Sequence, residues 1–295
     1  MVLKFIPVEN DFHNIKEVAK CHFHMSDKLI VKLKNKQKIL LNQKIAKISD
    51  AIQKNDVIEF DLDYEETSDN IVPTKMNLDI VFEDDSLLVI NKAPGIPIHP
   101  SINHYEDSLS NGVKYYFDQI SLHKKIRPVN RLDKDTSGLV VFAKNEYVQE
   151  NLIRQMKIKE FQKEYLAILD GILPSKSGTI SAPIARKEGS IIEREINFQI
   201  GQEAMTHYQV LQEKNSFSLV KFQLETGRTH QIRVHAKSLG APILGDTLYH
   251  QASNLIPRQA LHAFKITFLH PVLKKKMSLE IKLPKDMNDI FIDHN

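Results

Sequence analysis

Apolar residues occupy every second position in three separate places in the C-terminal half: Val220, Phe222 and Leu224; Phe264, Ile266 and Phe268; Leu279, Ile281 and Leu283. Successive side chains of a strand point to opposite faces, so this spacing describes strands with one buried face, as in an antiparallel sheet. Residues 79–82 and 87–91 flank the turn Glu83-Asp84-Asp85-Ser86 and add a hairpin. Helical spacing is interspersed. Val148, Leu152 and Met156 recur four apart behind Asn145, which reads as an N-cap. A second helix is predicted from His230 to Leu239, with Thr229 as cap, Gly240 as terminator and Ile232, Ala236 and Leu239 as its apolar stripe. No repeat or low-complexity segment interrupts the pattern. The expectation is an α+β fold: a mixed, mostly antiparallel sheet with flanking helices.

At about 100–200 residues per domain, a chain of 295 residues suggests two domains. With 42% hydrophobic and 26% charged residues, wholesale disorder is excluded. The longest apolar runs, residues 87–90 and 139–143, fall far short of the ~20 residues that span a bilayer. Residues 1–10 show neither a secretory core nor an Arg-rich presequence, so the reading is a soluble cytoplasmic protein with no membrane partner. The net charge of +3 is unevenly spread: residues 20–48 hold eight lysines against the single acid Asp27, and residues 50–90 hold twelve acids against Lys54 and Lys75. That contrast describes either a nucleic-acid-facing module with a solvated connector, or lysines that only solubilise a surface. Leu41-Asn42-Gln43 followed by residues 56–60 reads as strand, turn, strand, and residues 61–70 as a poorly packed linker. A small N-terminal α/β module with its acidic linker is therefore assigned to residues 1–70, and a second domain to 71–295.

The single cysteine, Cys21, excludes a disulfide framework and a Cys-based zinc or iron–sulfur site, and reads as a small buried apolar residue. No H-E-x-x-H occurs among the thirteen histidines, and His230 and His235, about 140° apart on a helix, do not share a face. Glycine-rich nucleotide loops are absent too. No metal site is predicted.

Residues 127–138, Arg-Pro-Val-Asn-Arg-Leu-Asp-Lys-Asp-Thr-Ser-Gly, precede the apolar run 139–143 and should form a loop held against a rigid sheet, where function concentrates. Asp133 lies just before a turn-forming Thr-Ser-Gly; it is either a fixed reactive carboxylate or an ordinary turn residue.

The run Asn130-Arg131-Leu132-Asp133-Lys134-Asp135-Thr136-Ser137-Gly138-Leu139-Val140-Val141-Phe142-Ala143-Lys144 closely resembles the H-R-L-D-x-x-T-S-G-L-L-L-x-A-K signature of the RluA family of RNA pseudouridine synthases. Three further blocks agree in order. Lys163-Glu164-Tyr165 resembles the family's K-x-Y block, and residues 225–235 its T-G-R-T-H-Q-I-R-V-H block. Residues 239–246 and 261–264 resemble its closing segments. The departures are Asn130 for the usual His, Lys134 for Arg and Thr247 for Pro. The N-terminal module more faintly resembles the αL-type RNA-binding domain, with lysines in place of an Arg-rich helix.

The resemblance implies the pseudouridine synthase fold and isomerisation of uridine in RNA to pseudouridine, with no cofactor. Asp133 would attack the anomeric carbon or remove the 2′ proton. Arg228 would sit beside Asp133 and favour its ionised form, or alternatively clamp a phosphate. Tyr165 would stack on the uracil with its hydroxyl near the reacting centre, or serve as a core tyrosine. Ile232 and Leu261 would pack against the base, or belong to the core. A stacked base cannot reach such a site, so the nucleotide flips out; Arg131 would fill the vacated space and contact the RNA backbone, or pair with an acid.

Large-subunit ribosomal RNA is the preferred substrate on this reading and transfer RNA the second, with a monomer and no obligate protein partner expected. Two other classes stay open: a non-catalytic RNA-binding or ribosome-assembly factor, and a hydrolase or glycosidase with Asp135 as the second carboxylate it needs.

Overall fold

The apolar run 139–143 is buried on both sides, and it divides the two larger apolar clusters among the described residues. The computed structural model describes residues 1–9 and 12–291. At the N-terminus lie β1 (Val2–Phe5), α1 (Ile15–Glu17, running on as a π-helical turn over Val18–His22), α2 (Asp27–Asn35), β2 (Ile39–Leu41), β3 (Lys44–Ile45) and β4 (Ile58–Asp61). Their four strands form an antiparallel sheet in the order β1-β4-β2-β3. Ser26 caps α2 through the Leu29 N–H, and Leu29, Ile30 and Leu33 give the helix its buried face.

The larger part contains β5 (Ile80–Glu83), β6 (Leu87–Lys92), α3 (Leu109–Gln119), β7 (Ser137–Ala143), α4 (Glu146–Lys157), β8 (Gln162–Asp170), β9 (Ser177–Ser181), β10 (Ile184–Arg186) and β11 (Arg194–Ile196). It continues with β12 (Met205–Lys214), β13 (Phe217–Leu224), α5 (Gln231–Ser238), β14 (Leu261–Leu269), β15 (Lys276–Glu280) and α6 (Lys285–Asn288). The main sheet runs β5-β6-β7-β14-β8-β13-β12-β9, with β15 beside the far half of β14, and β10 and β11 form a separate ribbon. Only β7 and β14 are parallel neighbours in this sheet. The fold is α+β with a mixed, mostly antiparallel sheet, as the alternation predicts.

Strand periodicity explains the two clusters. Leu87 and Val89 of β6, with Leu139, Val141 and Ala143 of β7, face α4 and the N-terminal module. Leu88, Ile90, Val140 and Phe142 face the opposite way, toward Val113 and Phe117 of α3 and Ile232 and Ala236 of α5. The second face carries the site. The first makes one continuous apolar cluster with the small sheet, where Phe23 meets both Phe60 and Tyr147 edge to face.

Asn145 caps α4 by accepting the Val148 N–H, as its position predicts. Three local expectations need correction. Residues 61–70 are not a loose linker: Leu62, Tyr64 and Ser68 are buried, and Glu66 accepts from Arg127 at 2.7 Å and Lys32 at 2.8 Å. Cys21 is exposed, because the turn that carries it buries Val18 and Ala19 instead. Thr229 does not cap α5; the helix begins one residue later, behind His230 in a left-handed conformation. Gly240, at φ +77°, follows its end as predicted. No helix among the described residues is long and apolar enough to cross a membrane.

Candidate active site

The loop before β7 is tied down from several directions. Asn130 is buried and makes two bonds to the strand it precedes: its Nδ2 donates to the Leu139 carbonyl, and its Oδ1 accepts the Val141 N–H. The Thr136 N–H closes a turn onto the Asp133 carbonyl. Lys92, at the end of β6, donates its buried ammonium to the carbonyls of Ala93 and Lys134, both at 2.8 Å. Burial pushes that ammonium down to about 7, against the pull of Asp135. Gly138, at φ +118°, lies where a Cβ would collide with the Ala263 backbone of β14, so only glycine lets the two parallel strands meet.

This bracing presents the Asp133 carboxylate to a cavity of about 360 Å³. Its Oδ2 accepts from Nη1 of Arg233 at 3.0 Å, and His230 Nε2 stands 3.8 Å away. Oδ1 has no hydrogen-bond partner among the described residues. Arg233 also holds Asp246 through Nε at 2.8 Å and Nη2 at 2.7 Å, and its guanidinium lies 5.0 Å from the Tyr249 ring centre. One planar cation thus joins two carboxylates, with Asp246 fully enclosed and Asp133 left partly open. The Tyr249 oxygen accepts the Arg194 N–H at 2.8 Å and lies 2.8 Å from His230 Nδ1. Burial lowers the His230 pKa although the Asp133 charge opposes it.

The expected pairing of Arg228 with Asp133 is corrected. Arg228 lines the same cavity but is exposed, and its Nε donates to the Glu203 carbonyl at 2.9 Å. Arg228 precedes α5, whereas Arg233 sits in its first turn on the buried side, next to Ile232 and Ala236. A partial signal was available: Arg233 neighbours the predicted apolar stripe, a buried arginine needs a carboxylate, and Asp246 was already in a matched block.

The other candidates converge. Tyr165, on β8, lines the cavity together with Ile232 and Leu261, and all three are nearly enclosed. Burial, and then the Asp133 charge, push the Tyr165 phenol far above its ordinary value, so the hydroxyl stays protonated. That hydroxyl makes no hydrogen bond among the described residues. Arg131 is exposed on the rim, with no acid paired to it among the described residues. Sequence reasoning passed over His230, Arg233, Tyr249 and Asp246 as parts of this centre, and Lys163 as part of the cavity wall. Asp135, the second carboxylate a glycosidase reading requires, is not among the lining residues; Asp133 is the sole acid there.

Comparisons with known proteins show the family. The profile described as RNA pseudouridylate synthase matches residues 86–238, which span the Asp133 loop, β8 and α5. The chain is 40% identical over 256 residues to the RNA pseudouridine synthase YhcT of Bacillus subtilis (strain 168), covering 86% of this chain and 84% of that one. It is 39% identical over 236 residues to ribosomal large subunit pseudouridine synthase D of Zymomonas mobilis, covering 74% and 73%. The solved structure of human RNA pseudouridylate synthase domain containing 1 superposes with a TM-score of 0.59 at 28% identity, covering 74% of this chain and 86% of that one. With four ordered sequence blocks gathered on one cavity, the chain belongs to the RNA pseudouridylate synthase family, in the RluA group.

Proposed function

We propose that Asp133 is the reacting carboxylate of this pseudouridine synthase and that its substrate is large-subunit ribosomal RNA. The observation that carries the first part is the asymmetry of the carboxylate: Arg233 holds Oδ2, while Oδ1 stands unbonded at the cavity. Oδ1 attacks the anomeric carbon or removes the 2′ proton, and in either case the electron pair of the glycosidic bond leaves on uracil N1. The freed base turns and carbon five bonds to the anomeric carbon, as the Asp133 ester bond breaks with its electron pair returning to the carboxylate, or as Asp133 returns the proton to the 2′ carbon; the carbon-five proton is then released while N1 gains one. Tyr165, kept neutral by burial, stacks on the uracil between Ile232 and Leu261. Arg131, unpaired on the rim, fills the gap left by the flipped nucleotide, whose extraction costs a few kcal/mol. The substrate assignment is supported by the relative named ribosomal large subunit pseudouridine synthase D.

The cavity wall carries Asp133 against four cations, Arg131, Lys163, Arg228 and Arg233, a field suited to a polyanion. Asp246 has both oxygens committed to Arg233, so among the described residues at this centre no free second carboxylate supports hydrolysis by a carboxylate pair.

The test uses RNA tritiated at uracil carbon five. Wild-type enzyme should release tritium to water from ribosomal RNA, and Asp133→Asn should release none while binding RNA with nearly unchanged affinity. Retention of a tenth of the wild-type rate by Asp133→Asn would sink the assignment. Free uracil as product would indicate hydrolysis, and release from transfer RNA alone would overturn the substrate.

A further inference from the structure

Lys163 and Tyr165 lie two residues apart on β8 and therefore share a face, about 7 Å apart along the strand. The Lys163 side chain is half-buried on the cavity wall, with Gly227 and Leu224 lining the same wall. A Cβ built on Gly227 would stand 3.2 Å from Lys163 Nζ, so the glycine keeps the space beside the ammonium clear. Burial holds this lysine below its ordinary pKa, and no carboxylate among the described residues offsets it. The nearby acids are engaged elsewhere. Glu164 faces Lys221 at 3.7 Å, Glu225 is held by Lys159 and His207, and Asp133 is held by Arg233. Arg228, the next residue after Gly227, has its Nε on the Glu203 carbonyl and no carboxylate partner among the described residues.

A half-buried ammonium with no counter-charge among the described residues is partly stripped of water, and retaining one on a cavity wall suits an anionic ligand. We propose that Lys163 and Arg228, flanking Gly227, form a phosphate subsite for a backbone phosphodiester adjoining the nucleotide presented to Asp133. The proposal rests on the Asp133 reading above. A guanidinium and an ammonium on two sides of a side-chain-free backbone match the oxygens of a phosphodiester.

The experiment measures tritium release from in vitro transcribed large-subunit ribosomal RNA, labelled at uracil carbon five, across a potassium chloride series. Lys163→Met should raise KM about tenfold, with kcat within about twofold. The slope of log(kcat/KM) against log(salt) should become shallower by about 0.7, the loss of one phosphate contact. Lys163→Arg should restore both. Arg228→Met, at an exposed position that leaves the core intact, should flatten the slope in the same way and keeps the test available if Lys163→Met folds poorly. A fall in kcat with KM and slope unchanged would place Lys163 on the base and overturn the subsite. Wild-type slopes in both Met variants would also overturn it, while wild-type tritium release left intact would preserve the Asp133 reading.

Discussion

Arg233 donates Nη1 to Asp133 and, from the same guanidinium, Nε and Nη2 to Asp246. The Asp133 loop is thereby joined to α5 across 100 residues of chain, and through the same planar group to Asp246 in the segment after α5. Asp246 takes one edge of the fork, Nε and Nη2, and Asp133 receives a single bond from Nη1, so only one of its carboxylate oxygens is taken.

Arg233→Lys should therefore be severe. An ammonium cannot serve both carboxylates with this geometry, and kcat should fall roughly 10² or more with little change in RNA affinity. Asp246→Ala should also lower stability by about 3–5 kcal/mol, since it strips a buried cation of its main partner. Arg228→Lys, at an exposed site that keeps its charge, should be far milder than Arg233→Lys. Equal loss in the two lysine variants, measured by tritium release, would contradict the geometry.

Alkaline stability carries a second expectation. Burial raises the Tyr147 phenol to about 12 and the Tyr165 phenol further still. Above about pH 10 the unfolded chain loses these protons while the folded chain keeps them, so the native state binds more protons and stability falls as pH rises. Below pH 10 the two states bind these protons alike and the contribution is constant. Thermal melts should show Tm dropping between about pH 10 and 12, and Tyr147→Phe should blunt the drop. Because the Tyr147 hydroxyl is buried without a partner, the same variant should cost little at neutral pH.

Gly138→Ala should damage the site without touching a reactive group. The added Cβ meets the Ala263 backbone and must be accommodated at positive φ, a strain of about 3 kcal/mol or more. Tritium release and Tm should fall together. An active, fully stable Gly138→Ala enzyme would show that β7 and β14 need not approach so closely.

Removal of residues 1–70 should cost stability as well as RNA affinity. Lys32 of the N-terminal module bridges Glu66 and Glu146, Ser26 donates to Glu150 at 2.6 Å, and Phe23 packs on Tyr147. Residues 71–295 alone should melt well below the full chain, with Val148 and Leu152 uncovered. Of the eight lysines between residues 20 and 48, Lys20, Lys28, Lys32 and Lys38 already face acids, leaving Lys34, Lys36, Lys44 and Lys47. If these four meet phosphates, the RNA-binding salt slope of the full chain should exceed that of the shortened one by no more than about 3. Equal slopes, read by fluorescence anisotropy, would leave the module a structural support only.

From its sequence alone this chain was legible wherever a local rule applies. Alternation at Val220, Phe222 and Leu224 specifies a strand, Asn145 specifies a helix start, and the loop around Asp133 is marked by its place before a doubly buried run. The order of the matched blocks was enough to name Asp133 and Tyr165, which the fold brings to one cavity. The arginine that meets Asp133 was decided only by tertiary structure. His230 adopts a left-handed conformation, α5 starts a residue later than the pattern suggests, and Arg233 turns inward where Asp246 arrives from a separate loop. Tertiary structure also decided that the acidic stretch at 61–70 packs, because Arg127 and Lys32 come from distant segments to meet Glu66. Local spacing sets which face of an element a side chain occupies, but the partner it finds there depends on how nonlocal segments dock. A charge can be buried only where that docking supplies its counter-charge.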